Sequence, residues 1–212
     1  MEIKNFVINL KRRPDRLENF KAKCPLDFTV VPAFDGKNYQ DESEAEKSLM
    51  KKFINLMPGE IGCFISHIRI FQKIVDEAIP LAFIMEDDAI FCEDFSNEYA
   101  KIIHEIPENA DILYIGGRFD PGFQMRTGQQ VSERIVKHLN LNNRSDADRT
   151  THAYIVSQRL AKFILDIFNI SNIIPISVDD WILKVSILSN IQVYNAFPLL
   201  CYSPRVGDSD IR

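Results

Sequence analysis

Three consecutive carboxylates, Glu86, Asp87 and Asp88, follow directly on the apolar run Leu81-Ala82-Phe83-Ile84-Met85. Carboxylates this crowded cannot all be buried as anions without a compensating cation. Oxygen-only ligands suit Mg²⁺ or Mn²⁺, ions that also grip the phosphates of a nucleotide. The chemistry on offer is therefore a metal–nucleotide site, with a solvated acidic turn as the competing reading. A basic counterpart lies early in the chain, at Lys11-Arg12-Arg13-Pro14-Asp15-Arg16. Guanidinium groups at a helix start can face a diphosphate or a nucleotide base; a plain charged helix start is the alternative. A second acidic pair, Asp179-Asp180, precedes Trp181-Ile182-Leu183, and either Asp could simply cap the helix that begins there.

These groups need elements to position them. An unbroken apolar run of strand length reads as a strand covered on both faces, and in open α/β sheets ligands bind beyond the carboxyl ends of the strands. The sequence predicts further strands over residues 3–10, 28–34, 111–115, 150–157 and 191–201. Residues 14–20, with Pro14 near the first turn, predict a helix. A long helix is predicted from residue 57, where Ile61, Phe64, Ile65, Ile68, Phe71, Ile74 and Val75 recur at helical spacing. Ser66 and His67 stand beside that stripe, where a hydrogen-bonded core role is the simplest reading. Gly59 and Gly62 permit close approach of another backbone or a ligand. Residues 93–105 and 158–168 predict two more helices, and another begins near Trp181. The acidic stretch 38–48 reads as an exposed loop merging into a surface helix, its charges serving solvation. Residues 118–149 lose all pattern and read as an irregular loop or lid.

The chain has 212 residues, 46% hydrophobic and 26% charged, which suits one sizeable globular domain. A net charge of −5 argues against general nucleic-acid affinity. Cys24, Cys63, Cys92 and Cys201 are scattered, with no close pair suited to zinc or redox work, so a reducing, cytoplasmic compartment is expected. Residues 1–6 lack the pattern of a signal peptide, and charges interrupt every apolar stretch before membrane-spanning length. A soluble protein, at most peripheral at the inner face of a membrane, is the expectation.

Several separated motifs match one pattern. They are Val7-Ile8-Asn9-Leu10 with Arg12, Arg13 and Arg16; Gly59-Glu60-Ile61-Gly62-Cys63 with Ser66-His67; Glu86-Asp87-Asp88-Ala89; Thr151-His152-Ala153-Tyr154-Ile155; and Val178-Asp179. In this order, over nearly the whole chain, they resemble glycosyltransferase family 25, which contains bacterial lipooligosaccharide galactosyltransferases and collagen galactosyltransferases.

The resemblance implies an α/β fold: a single GT-A-like nucleotide-binding domain over residues 1–212, with a mixed central sheet sandwiched by helices. It implies inverting, metal-assisted transfer of a hexose, galactose from UDP-galactose, to a hydroxyl of a glycan or glycosylated protein. Asp88, with Glu86, would hold Mn²⁺ or Mg²⁺. Asn9, Leu10, Arg12, Arg16, Ser66, His67, Glu86, Asp87 and His152 would contact the nucleotide sugar. Asp179, with Asp180 second, would be the base that deprotonates the acceptor, and His152 a lesser candidate for that role. Three other readings remain open: a glucosyltransferase using UDP-glucose, a non-catalytic sugar-nucleotide-binding member of the same fold, and a nucleotidyl- or phosphotransferase. The last lacks support from any Walker-type glycine-rich loop.

Overall fold

The computed structural model describes residues 2–117, 128–137, 150–203 and 210. The acidic-ended run forms β3 (Leu81–Glu86), and its alternation splits it between two cores. Leu81, Phe83 and Met85 enter one; Ala82 and Ile84 enter the other. Period-two side chains with both sets apolar require cover on both faces, as expected from the sequence.

On one side of β3 lies β1 (Lys4–Asn9), parallel, with Ile8 opposite Glu86. On the other lies β9 (Ala153–Ser157), antiparallel, with Ala153 opposite Met85. The antiparallel direction matters. It brings the residues that precede β9, Thr151 and His152, to the same sheet edge as the end of β3. β2 (Thr29–Pro32) extends the sheet beyond β1, while β5 (Ile112–Tyr114), β10 (Val193–Ala196), β8 (Ile135–Lys137) and β7 (Gln129–Gln130) extend it beyond β9. The result is an eight-stranded mixed sheet.

Helices cover both faces. α3 (Pro58–Asp76), α5 (Gln158–Ile170) and α6 (Val178–Leu188) pack over Phe6, Ile8, Ala82, Ile84 and Val156. α1 (Pro14–Lys23) and α4 (Phe95–Glu105) cover Val7, Phe83, Met85 and Ile155. α3 buries the predicted stripe from Ile61 to Ile74. Pro58 opens it, and the Glu60 carboxylate accepts the Met57 N–H at 2.8 Å, satisfying a donor that the helix start leaves free.

Four local expectations are corrected. Inside the stretch 118–149, β7 and β8 form an antiparallel hairpin, with Ile135 buried and Arg134 donating to Glu98 and Glu105 of α4. Strands of two or three residues are too short to display alternation. The loop or lid reading of 118–127 and 138–149 lies outside the described residues. The predicted last strand is broken after Ala196 at Phe197-Pro198, since proline has no N–H for the ladder. The chain resumes as β11 (Cys201–Tyr202), in a small sheet with β4 (Ile90–Phe91) and β6 (Gly116–Gly117). The acidic stretch forms the expected surface helix, α2 (Glu44–Leu49), but its charges are not mere solvation: Arg69 of α3 binds Glu42 at 2.6 Å and also pairs with Glu46. Finally, α6 starts at Val178, and Ser177, not either Asp, caps it by accepting the Asp180 N–H.

The loop after β2 sits directly on the start of α3. A Cβ at Gly36 would lie 1.8 Å from the Pro58 carbonyl oxygen, and one at Gly62 would lie 2.8 Å from that of Phe34. Ser66 Oγ locks this junction, accepting the Phe34 N–H at 2.8 Å and donating to the Gly62 carbonyl at 2.6 Å. Gly36→Ala is expected to cost about 1–3 kcal/mol by overpacking against backbone, read as a lowered denaturant midpoint. The same substitution at exposed Lys37 should leave the midpoint within about 0.5 kcal/mol.

Candidate active site

Strand ends and helix starts converge at one edge of the sheet. β1 delivers Asn9 and Leu10, β3 delivers Glu86, and the loop after β3 adds Asp87 and Asp88. The start of α1 brings Arg12, Arg13 and Arg16; the first three turns of α3 bring Gly59, Cys63, Ser66 and His67. They surround a cleft that Asp35, Gly36 and Lys37 also line.

The three carboxylates have different environments. Glu86 Oε1 accepts the Thr151 hydroxyl at 2.9 Å and lies 3.4 Å from His67 Nε2. Burial pushes the Glu86 carboxyl up, but His67, His152 and Thr151 outweigh this and hold it below its ordinary value. Asp87 accepts from Asn9 Nδ2 at 2.6 Å and pairs with Arg16. Burial pushes its carboxyl up, against the pull of Arg16. Asp88 has the weakest support, a Ser203 hydroxyl at 3.3 Å and Arg16 at 3.4 Å. Its Oδ1 is buried with no hydrogen-bond partner among the described residues. Burial, reinforced by the charge on Glu86, pushes Asp88 up to about 7.

A buried, unpartnered carboxylate oxygen beside a second carboxylate is what a hard divalent cation would satisfy. Asp88 with Glu86 therefore fits Mn²⁺ or Mg²⁺, the pair expected from the sequence.

Against this acidic wall, Arg12 and Arg13 hold Asp210 at 2.7 and 2.8 Å, and Arg16, which also touches Asp87 and Asp88, reaches it at 3.3 Å. Three guanidinium groups already gather around one anion at the cleft. Arg12 is further fixed by Asp35 at 2.7 Å.

Behind the cleft, Thr151 joins two carboxylates: its hydroxyl serves Glu86, and its N–H donates to Asp179 Oδ1 at 2.8 Å. Asp179 sits in the first turn of α6, where Ser177 relieves it of capping duty. Burial, then the charge of Glu86, raises its carboxyl above the ordinary value. Asp180, the next residue, is half-buried and joins no side-chain bond to this network.

Leu10, Arg12, Arg16, Ser66, His67, Glu86, Asp87 and Asp88 thus line the cleft, while Asn9 reaches it through Asp87. Three expected contacts are revised. The Ser66 hydroxyl is committed to the loop–helix junction on both sides. His67 is fully buried, with Nδ1 at 2.8 Å from the Tyr154 hydroxyl, so it acts through Glu86. His152 is also buried, bonded to Thr150 and packed on Gly116, where a Cβ would come within 2.5 Å of Nε2. Burial pushes its ring down to about 4, leaving it neutral and a weak base near neutral pH. Asp210, Asp35, Thr151 and Cys63 escaped assignment from the sequence. For Cys63 a signal existed: it stands four residues before His67, one helical turn on the same face.

The chain is similar to known proteins over most of its length. The model of "Glycosyltransferase family 25 (LPS biosynthesis protein)" matches residues 2–182. Procollagen galactosyltransferase 1-B of Xenopus laevis is 27% identical over 223 residues, covering 98% of this chain and 33% of that protein. The procollagen lysyl hydroxylase and glycosyltransferase of Acanthamoeba polyphaga mimivirus is 26% identical over 192 residues, covering 81% of this chain and 20% of its own. The chain spans about a third of the length of the procollagen galactosyltransferases it matches. Among solved structures, S. aureus TarS 1–349 in complex with UDP-GlcNAc superposes with a TM-score of 0.50 at 15% identity, covering 99% of this chain and 60% of that one, a likeness of fold. Among the described residues no helix is long and apolar enough to cross a membrane. With the family's model matched from before β1 into α6, through the strand end that carries Glu86, Asp87 and Asp88, the chain belongs to glycosyltransferase family 25.

Proposed function

We propose that this chain transfers a hexose, galactose from UDP-galactose, to a hydroxyl of a glycan or glycosylated protein, with inversion at the sugar carbon. The observation that carries the reading is the buried, unpartnered Asp88 oxygen beside Glu86, in a cleft at the strand ends that Arg12 and Arg16 also line. The names of the procollagen galactosyltransferase relatives support galactose as the sugar and a protein-borne acceptor.

Arg12 and Arg16 bind the donor diphosphate where they now gather around Asp210. Asp87 keeps Arg16 oriented, and Asn9 keeps Asp87 oriented. Asp88 and Glu86 would hold the divalent cation, which when bound neutralises charge developing on the departing diphosphate. The acceptor oxygen attacks the anomeric carbon, the bond from that carbon to the diphosphate breaks, and UDP leaves. Asp179 takes the hydroxyl proton. Its Oδ1 accepts the Thr151 N–H, and its raised proton affinity suits a general base.

The test is UDP release from a panel of UDP-sugars, with and without Mn²⁺, in the presence of galactosyl acceptors of both classes. Metal-dependent release from UDP-galactose, at least ~10-fold above UDP-glucose, is expected. Preference for UDP-glucose would transfer the assignment to a glucosyltransferase. Metal-dependent UDP binding with no turnover of any donor would favour the non-catalytic reading.

A further inference from the structure

Cys63 and His67 project from the same face of α3, and β3 delivers Glu86 to them. The thiol sulfur, an imidazole nitrogen and a carboxylate oxygen all lie within 4.8 Å of one another. His67 Nε2 and Glu86 Oε1 are 3.4 Å apart, long for a hydrogen bond. That separation is close to the ligand–ligand edge of a tetrahedral metal site, about 3.3–3.4 Å when both bonds are ~2.0–2.1 Å.

The surroundings also suit a metal. The Tyr154 hydroxyl stands 2.8 Å from Nδ1 of His67, the outer partner that fixes the ring of a metal-bound histidine with Nε2 free to ligate. The Thr151 hydroxyl orients Glu86 in the same way. Cys63, His67 and Glu86 all line the cleft, so an ion has a path in. One thiolate with one imidazole is a softer set than the all-oxygen pair at Asp88, and it selects Zn²⁺ or Co²⁺ over Mg²⁺ and Mn²⁺.

We propose that Cys63, His67 and Glu86 form a second metal site for a thiophilic divalent cation of the Zn²⁺ class, with water or an acceptor group as fourth ligand. On binding, the sulfur–metal bond forms as the thiol proton leaves to solvent, and nothing is oxidised or reduced. Metal binding here does not depend on the transferase reading. Only its consequence does: because Glu86 serves both sites, Zn²⁺ would compete with the cation that assists donor binding.

The experiment titrates the purified chain with Co²⁺, with no nucleotide present, and follows the near-ultraviolet thiolate-to-cobalt charge-transfer band. One equivalent should generate the band and Zn²⁺ should displace it. Cys63→Ser should abolish it and weaken Co²⁺ binding about 10–100-fold. A second measurement needs no variant: Zn²⁺ should shield Cys63 from alkylation while half-buried Cys24 and Cys92 react unchanged, as mapped by peptide mass spectrometry. Absence of the band from folded wild type, its persistence in Cys63→Ser, or unshielded Cys63 at saturating Zn²⁺ would each overturn the proposal. Each of these outcomes leaves the transferase reading standing, which is assayed separately with UDP and Mn²⁺.

Discussion

Asp88→Asn is expected to lower metal-dependent donor turnover by about 10³-fold, with the fold retained. The substitution keeps shape and volume but removes the charge that would oppose the cation. It also alters stability in a direction opposite to the usual active-site loss. In the metal-free chain, burial and Glu86 raise Asp88 to about 7 from an ordinary value of 3.8. Between those limits the unfolded chain has released a proton that the folded chain still holds. Stability from this group is thus full below about pH 4 and is lost as pH rises through about 7. Asp88→Asn escapes that loss. Metal-free variant should melt higher than metal-free wild type at pH 8, by roughly 5 °C or more, and the gap should close near pH 4. Added Mn²⁺ should raise the melting temperature of wild type alone. Equal melting of the two proteins at pH 8 without metal would mean that Asp88 is not held against an unfavourable charge.

Asp179→Asn should reduce kcat by about 10²–10⁴-fold, the range for loss of a general base, while the donor KM stays within about twofold. That split follows from position. Asp179 lies behind Thr151 and away from the arginines, so it contributes to the reacting proton and not to donor binding. Asp180→Asn should stay within about threefold of wild type, because Asp180 gives the Thr151–Glu86 network no side-chain bond. The pH profile is the readout that a merely structural role would not move: the acidic limb of kcat/KM should vanish in Asp179→Asn and persist in Asp180→Asn. Reversed behaviour of the two variants would move the base to Asp180.

Much of this site was legible because its central parts are local. Five apolar residues followed by three carboxylates specify both a two-sided strand and its charged end within nine positions. The stripe on α3 is equally local, and Pro14 marked α1. What stayed hidden was contact between distant segments. Thr151 meets Glu86 across 65 positions only because β9 runs antiparallel to β3. Asp210 reaches Arg13 across 197 positions and Arg16 across 194, and nothing in a polar tail marks one carboxylate as an anion for three arginines. The hydrogen-bonded core role that the α3 stripe suggested for His67 is what the structure shows, whereas nothing local marked His152 as buried. Both are buried, so the proton transfer of the reaction passes to the carboxylates. The hairpin β7–β8 was invisible for a different reason: strands of two and three residues show no period, and Arg134 anchors the hairpin through side-chain bonds to α4.

The most direct test of the metal–nucleotide site is calorimetric titration of the chain with UDP-galactose, with and without Mn²⁺, in wild type and Asp88→Asn. The account predicts at least ~10-fold tighter binding with Mn²⁺ in wild type, and no such gain in the variant. Equal affinity with and without the ion in folded wild type, or an undiminished gain in Asp88→Asn, would contradict it.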